Sequence, residues 1–336
     1  MHFEKLLKEN LLKEINFKKK ILITGCSGFI GDYILQALTA SVFNNKNIIH
    51  GIDIIKPKNK YKNFKFFKRN LLKITPSSIP KIKYDYIIHL AGIPSPTYYK
   101  KFPLGTIFLN SNLAEILLKK SNIDKSKFIY FSSSEIYGNP SADKIPTDES
   151  YNGYVSSISD RSCYDESKRM GETLCVSYAH QYKIDVKIVR PFHTYGPKMD
   201  LKDGRVFADF VSNVVMNKNL IIKSDGKTER CYCYLKDAVI GFLRVLINGK
   251  SGNAYNIGNP NETYSVKELA KKILETQKQT SLRLIYQEQN DMNYLRSPYS
   301  KMIPNIDKVS KLGWKPTTTV IEGFDRTIKS YMDNDK

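Results

Sequence analysis

The sequence predicts an α/β protein, a Rossmann-type doubly wound parallel sheet with a small C-terminal cap. Three observations carry that expectation. From Lys19 onward, short apolar runs alternate with helical stretches. A glycine-rich turn stands between the first run and the first helix. After "YGPKM" the rhythm breaks into irregular strand, loop and helix, too uneven for a second unit of the same kind.

Each element follows from its pattern. "KILITG" reads as a buried strand and "GFIGDYILQALTASVF" as the helix after it. "NIIHGIDI", "NFKFFKR" and "YDYIIHLAG" are the second to fourth strands, followed by a single helix through "GTIFLNSNLAEILLKKS". "KFIYFSSS" is the fifth strand, a long helix covers about 162–182, and "DVKIVRPF" is the sixth strand. Beyond these, "DGRVFADFVSNVVMN", "VIGFLRVLING", "SVKELAKKILETQK" and about 320–332 read as helices, with strand and loop in "LIIKSDGKTERCYCYLKDA". Residues 1–18 place Phe3, Leu6, Leu7, Leu11 and Ile15 at helical spacing, an amphipathic N-terminal helix. The organisation expected is therefore a dinucleotide-binding unit over 19–195, completed by about 232–262, with a substrate-binding cap from 196–231 and 263–336.

Composition narrows the function. The chain has 336 residues and a formal net charge of +20, yet its lysines are scattered and no helix reads as a basic recognition face, so nucleic acid is not expected. A basic surface still favours an anionic substrate. No apolar run is long enough to span a membrane, and the charge-interrupted N-terminus is not a signal peptide. Cys26, Cys163, Cys175, Cys231 and Cys233 form neither a C-x-x-C pair nor an even framework, so a reducing, cytoplasmic setting is expected and no metal site.

The turn "LITGCSGFIGDYI" places Gly25, Gly28 and Gly31 where the backbone must approach a pyrophosphate at a helix N-terminus. Asp53 ends the second strand, 22 residues after Gly31, near the spacing of a carboxylate that accepts ribose hydroxyls. A carboxylate there repels a 2′-phosphate, so NAD is the expected cofactor. Tyr164 and Lys168, four residues apart in "RSCYDESKR", share one helix face.

The T-G-x-x-G-F-I-G spacing resembles the extended short-chain dehydrogenases of the NAD-dependent epimerase/dehydratase family, which act on nucleotide sugars. "HLAGIPSPTYY", "SSSEIYG", "RSCYDESKR", "RPFHTYGPKMDLKDGRVFADF", "SDGKTERCYCYLKDA" and "YNIGNPNETYSVKELA" follow in that family's order over roughly 19–325. Within it, the chain looks most like the UDP-glucuronate decarboxylases. That resemblance implies a catalytic set of Tyr164, Lys168, Ser133 and Glu135. Tyr164 would be the base, Lys168 would favour its phenolate and hold the nicotinamide ribose, and Ser133 would bond the same sugar hydroxyl. Phe29, Ile30, Asn70, Leu90 and Ala91 would join the three glycines and Asp53 around NAD. Ser134, Tyr99, Arg161, His193, Arg205 and Arg230 would face a nucleotide-diphosphate sugar, and the protein would be a homodimer through helices that include the one bearing Tyr164.

Glu135 bears on the reaction. The related 4,6-dehydratases carry an Asp–Glu pair at this corner; here the Asp position is Ser134, so the acid for elimination is missing. The resemblance departs at three places. His193 replaces the usual Asn of "RPFHTYGP", Met302 replaces an Arg before "IPNI" with Arg296 as a substitute, and Asn70 replaces an Asp near the adenine. The first two keep open a 4-keto-sugar reductase, a C4 dehydrogenase or an epimerase acting on another nucleotide-linked sugar. A non-catalytic dinucleotide-sensing protein on the same fold is the reading from another class, disfavoured because both Tyr and Lys are kept.

Overall fold

A computed structural model describes residues 19–40, 47–277, 281–287 and 299–333. The expected N-terminal helix and Arg296 lie outside the described residues. Seven parallel strands form the main sheet: β1 (Lys20–Thr24), β2 (Ile48–Asp53), β3 (Phe64–Lys68), β4 (Tyr86–His89), β5 (Lys127–Phe131), β6 (Val186–Pro191) and, later in the chain, β10 (Asn253–Ile257). Their order across the sheet is β10-β6-β5-β4-β1-β2-β3. The order reverses between β1 and β4, and this switch point is where open α/β sheets bind ligands, at the carboxyl ends of the strands.

Period-two alternation explains why both faces are covered. In β1, Ile21 and Ile23 enter one apolar core with helices α1 (Phe29–Leu38) and α7 (Leu235–Asn248), while Leu22 enters the other with α4 (Leu113–Asp124) and α5 (Ser162–Tyr182). The single helix expected through "GTIFLNSNLAEILLKKS" is instead three pieces. A short α3 (Pro103–Ile107) runs into a π-helical turn over Phe108–Asn112 and then into α4. In that wide turn the Asn110 carbonyl accepts from the Tyr130 hydroxyl of β5 at 2.8 Å. A further short helix, α2 (Pro96–Lys101), forms in "SPTYY", where no helix is expected from the pattern.

The smaller part is built from chain-distant pieces. Strand β7 (His193–Tyr195) pairs with β9 (Glu229–Tyr234), which also pairs antiparallel with β11 (Thr263–Ser265) and parallel with β13 (Lys301–Met302). Strands β8 (Leu220–Ile222) and β12 (Leu284–Tyr286) form a separate pair. Helices α6 (Val206–Val215) and α8 (Val266–Glu275), the one-turn α9 (Asp307–Ser310) and α10 (Val320–Met332) complete it. Phe207, Phe210, Leu269, Ile273, Phe324 and Ile328 fill its core, and Tyr195 stacks on Phe324 with ring centroids 4.0 Å apart.

One contact sets where α5 sits. A Cβ at Gly171 would fall on the Tyr130 hydroxyl and within 2.6 Å of the Asn110 carbonyl oxygen, so helix, strand and π turn meet at hydrogen-atom distance. Tyr130 is fully buried and its hydroxyl is committed, so it has nowhere to retreat. Gly171→Ala is therefore expected to lower stability by about 1–3 kcal/mol through overpacking, read from the denaturant midpoint. An unchanged midpoint would show that the helix is not held at this contact.

Candidate active site

The carboxyl ends of β1, β2, β4 and β5 converge with α5 and the β7–β9 edge. Gly25 takes φ +74°, and a Cβ there would lie 2.7 Å from the Ala91 nitrogen, so the turn after β1 is pressed against the end of β4. Gly28 caps α1 in an extended conformation with no side-chain bond to the helix, leaving its first N–H groups without a side-chain acceptor. The Asp53 carboxylate accepts from Ser27 N at 2.9 Å and Ile54 N at 2.7 Å, locking the turn to the end of β2. A narrow glycine turn, an uncapped ten-residue helix and a carboxylate beside them fit a dinucleotide's pyrophosphate and ribose. Phe29 and Ile30 open that helix, and Leu90 and Ala91 form the facing wall. Asn70 has a local bond of its own. Its amide oxygen caps the next short helix by accepting from Leu72 N at 3.0 Å, which leaves its NH2 as the freer group.

Tyr164 and Lys168 emerge from the first two turns of α5, both buried. The Lys168 ammonium group lies 5.8 Å from the Tyr164 ring centre and donates to the Phe131 carbonyl at 2.6 Å. Ser133, one residue beyond Ser132 at the end of β5, faces the Tyr164 phenol and accepts from Glu135 N at 3.2 Å. Spacing alone implies a phenol eased toward ionisation. Burial acts against it and pushes the Tyr164 phenol up to about 12, with Ser133 pulling the other way. Burial likewise lowers Lys168 to about 7. Each ion is disfavoured by the same desolvation, so the pair is poised for a charged occupant.

The polar residues on the other side form one cluster. Tyr99 stacks on Tyr164, ring centroids 5.4 Å apart, with its hydroxyl buried and without a hydrogen-bond partner among the described residues. Arg161, at the N-cap of α5, pairs with Glu135 and lies 3.7 Å from Asp165, so it is not a free cation awaiting a sugar carboxylate. Arg205 is held by Asp203 and lies over the Phe207 ring, and the buried Arg230 donates to the carbonyls of Glu229 and Tyr299, both at 2.7 Å. His193 is half-buried, edge-on to Phe207 and Tyr232, with its Nδ1 buried and lacking a partner among the described residues. Burial first, then the nearby Arg230, Arg205 and Arg161, hold its imidazole well below its usual range, so it is neutral. Ser134 is buried in the short helix Ser134–Tyr137 that carries Glu135. Met302 is buried among Ile136, Tyr137, Phe192 and Tyr299 and pairs in register with Arg230.

Sequence reasoning passed over Asn110, Asp165 and Tyr299. Asn110 donates to Ser167 at 3.0 Å and sits beside Lys168 under Gly92. Tyr299 donates to Asp165 at 3.1 Å across 134 residues of sequence, a contact that no local pattern signals. Asp165 had a signal, its place next to Tyr164.

The NAD dependent epimerase/dehydratase family matches residues 21–258. This chain belongs to that family. It is therefore an NAD-dependent enzyme of the epimerase/dehydratase class. A UDP-glucuronic acid decarboxylase of Arabidopsis thaliana is 33% identical over 310 residues, 91% of this chain and 86% of the relative. Among solved structures, UDP-glucuronic acid 4-epimerase from Bacillus cereus is similar with a TM-score of 0.76 at 25% identity, covering 94% of this chain and all of that one. UDP-glucose 4-epimerase from Thermotoga maritima shares the fold with a TM-score of 0.82 at 23% identity, with the same coverage. Among the described residues no helix is long and apolar enough to cross a membrane.

The depressed Lys168 has a consequence for stability. Unfolded, the lysine keeps its proton up to the usual lysine range near ~10.4; folded and without NAD it loses it at about 7. Between those values the unfolded chain binds more protons, so this group makes stability rise with pH. The stability difference between wild type and Lys168→Met should move in favour of wild type from about pH 7 upward, measured by melts at several pH values. A difference independent of pH would remove Lys168 from this burial-driven account.

Proposed function

We propose that the protein modifies a nucleotide-diphosphate sugar by oxidation at C4, and that its substrate is UDP-glucuronate, which it decarboxylates before C4 is reduced again. The observation that carries the reading is the corner at the end of β5, where Glu135 stands with Ser134 in place of the dehydratases' acid and beside the Ser133–Tyr164 pair. The likeness to curated UDP-glucuronic acid decarboxylases supports it. Bound NAD would supply a hydride acceptor at C4. The glycine turn, Phe29, Ile30 and Asp53 would hold it, with Lys168 near the nicotinamide ribose.

On this reading Tyr164 takes the C4 hydroxyl proton while Ser133 orients that oxygen. The C4 ketone makes the sugar a β-keto acid, and carbon dioxide leaves from C5. The resulting enolate oxygen is stabilised by the same Tyr164 and Ser133 hydroxyls. Glu135 acts at the C5 side after oxidation. His193, neutral and with a free ring nitrogen, and Arg205, half-exposed at the rim, serve the diphosphate sugar, and Tyr99 lines the sugar pocket. A second reading has two observations in its favour: His193 and Met302 stand where the family's diphosphate-binding residues are expected, and a UDP-glucuronic acid 4-epimerase is structurally similar. It retains C4 oxidation without loss of carbon dioxide. Homodimerisation belongs to the proposal as well, through surfaces that include the exposed Leu104 and Met170 on α3 and α5.

Incubation with UDP-glucuronate and NAD, followed by mass spectrometry, separates these readings. A nucleotide sugar lighter by carbon dioxide is the expected product; an isomer of unchanged mass would sink decarboxylation in favour of epimerisation. Tyr164→Phe should bind NAD and lose about 10²–10⁴-fold in turnover. Glu135→Gln should let a 4-keto sugar accumulate. Light scattering on the purified chain should return twice the monomer mass.

A further inference from the structure

Among the buried polar groups of the described residues, one borders the site and centres on a residue with no role so far, Asp165. Asp165 is 2% exposed and follows Tyr164 directly on α5. Its Oδ2 accepts from the Tyr299 hydroxyl at 3.1 Å and lies 3.7 Å from Arg161 Nε. Its Oδ1 is buried with no partner among the described residues. Arg161 turns its other nitrogen to Glu135, and its guanidinium carbon lies 5.9 Å from the Tyr99 ring centre and 5.5 Å from that of Tyr299. Two carboxylates therefore share one guanidinium between two aromatic rings. The Tyr299 backbone carbonyl accepts from Arg230, which ties the C-terminal segment to β9 at the same point.

Glu135 and the buried Asp165 share the Arg161 guanidinium, and an unsatisfied charged oxygen on a buried carboxylate is costly. A proton on Asp165 lowers that cost, because it removes one of the two negative charges beside Arg161. We propose that Asp165 and Tyr299 are positioning residues for Glu135: Asp165 holds one proton beside Arg161, so that Arg161 is left to orient Glu135, and Tyr299 brings the C-terminal segment into that arrangement. Loss of the proton would set Asp165 against Glu135 for the same guanidinium and place a negative charge next to Tyr164.

The electrostatics of the surroundings agree. Burial and the Glu135 carboxylate push Asp165 up to about 7, against the pull of Arg161 and the Tyr299 hydroxyl, with Glu166 adding to the rise. The remaining titratable neighbours are Tyr99 on α2 and Cys163 and Tyr164 on α5. The Asp165 charge raises the Tyr164 phenol further, so it works against the base.

The role in turnover rests on the reading of Glu135 given above, so the test has two arms. In the first, infrared titration of the full chain without substrate compares wild type, Asp165→Asn and Tyr299→Phe. Wild type should show one carboxylic acid that loses its proton near pH 7. Asp165→Asn should lack it, and Tyr299→Phe, having lost a donor to the anion, should move it to higher pH. The same acid signal in Asp165→Asn, or an unmoved one in Tyr299→Phe, overturns the proposal. In the second arm, the pH–rate profile is taken with UDP-glucuronate. Asp165→Asn should lower kcat by roughly tenfold, less than loss of a general acid–base group, leave the NAD affinity unchanged, and remove the inflection near pH 7. Lys168 titrates in the same range, so the assignment depends on the inflection vanishing in Asp165→Asn and moving up in Tyr299→Phe. A kcat loss with the inflection intact in both variants overturns the positioning role. If wild type does not turn over UDP-glucuronate, the substrate assignment fails and the infrared arm still decides the proton on Asp165.

Discussion

The close approach of α5 to β5 at Gly171 is the constraint on which the rest of the site depends. A helix can come this near a strand's side chains only where it lacks a Cβ. Here the vacated volume is taken by the Tyr130 hydroxyl, itself bonded to the Asn110 carbonyl in the π turn. One turn earlier on the same helix, that proximity brings the Lys168 ammonium onto the Phe131 carbonyl. A turn earlier again it brings Tyr164 to Ser133. Arg161 and Asp165 meet Glu135 because the helix begins there. A larger separation would lengthen all three contacts together.

The second organising fact is burial. Tyr164, Lys168, Asp165 and His193 are all displaced toward their neutral forms by desolvation as the first cause. A site of neutral groups in a low dielectric responds strongly to the charge that enters it. The arginines are handled differently: Arg161, Arg205 and Arg230 are each bound to a carboxylate or a carbonyl, so they offer fixed positive fields more than loose cations. That distinguishes this pocket from a simple anion funnel, despite the net charge of +20.

The departures at His193 and Met302 acquire a physical meaning in the fold. Both lie on strands of the smaller sheet that pair with β9, His193 on β7 opposite Tyr232 and Met302 on β13 opposite Arg230. Each exchanges a polar contact for an aromatic or apolar one. The cofactor half of the site carries no comparable change beyond Asn70, whose oxygen caps a helix.

Local pattern was sufficient for much of this. Alternating apolar runs marked β1 to β6 because a parallel strand covered on both faces must be apolar almost throughout. The glycine turn and Asp53 followed from backbone sterics. The i, i+4 spacing put Tyr164 and Lys168 on one face because a helix has only one geometry. What needed the tertiary structure was every feature whose partners are far apart in sequence. The π turn exists for a bond to Tyr130. Arg161, read as a ligand for substrate, is paired by Glu135 from another element. Tyr299 reaches Asp165 across 134 residues of sequence. The ionisation of the catalytic pair also belongs to this class: spacing implies attraction between a phenolate and an ammonium, whereas burial, which only the packed fold sets, shifts both groups toward their neutral forms.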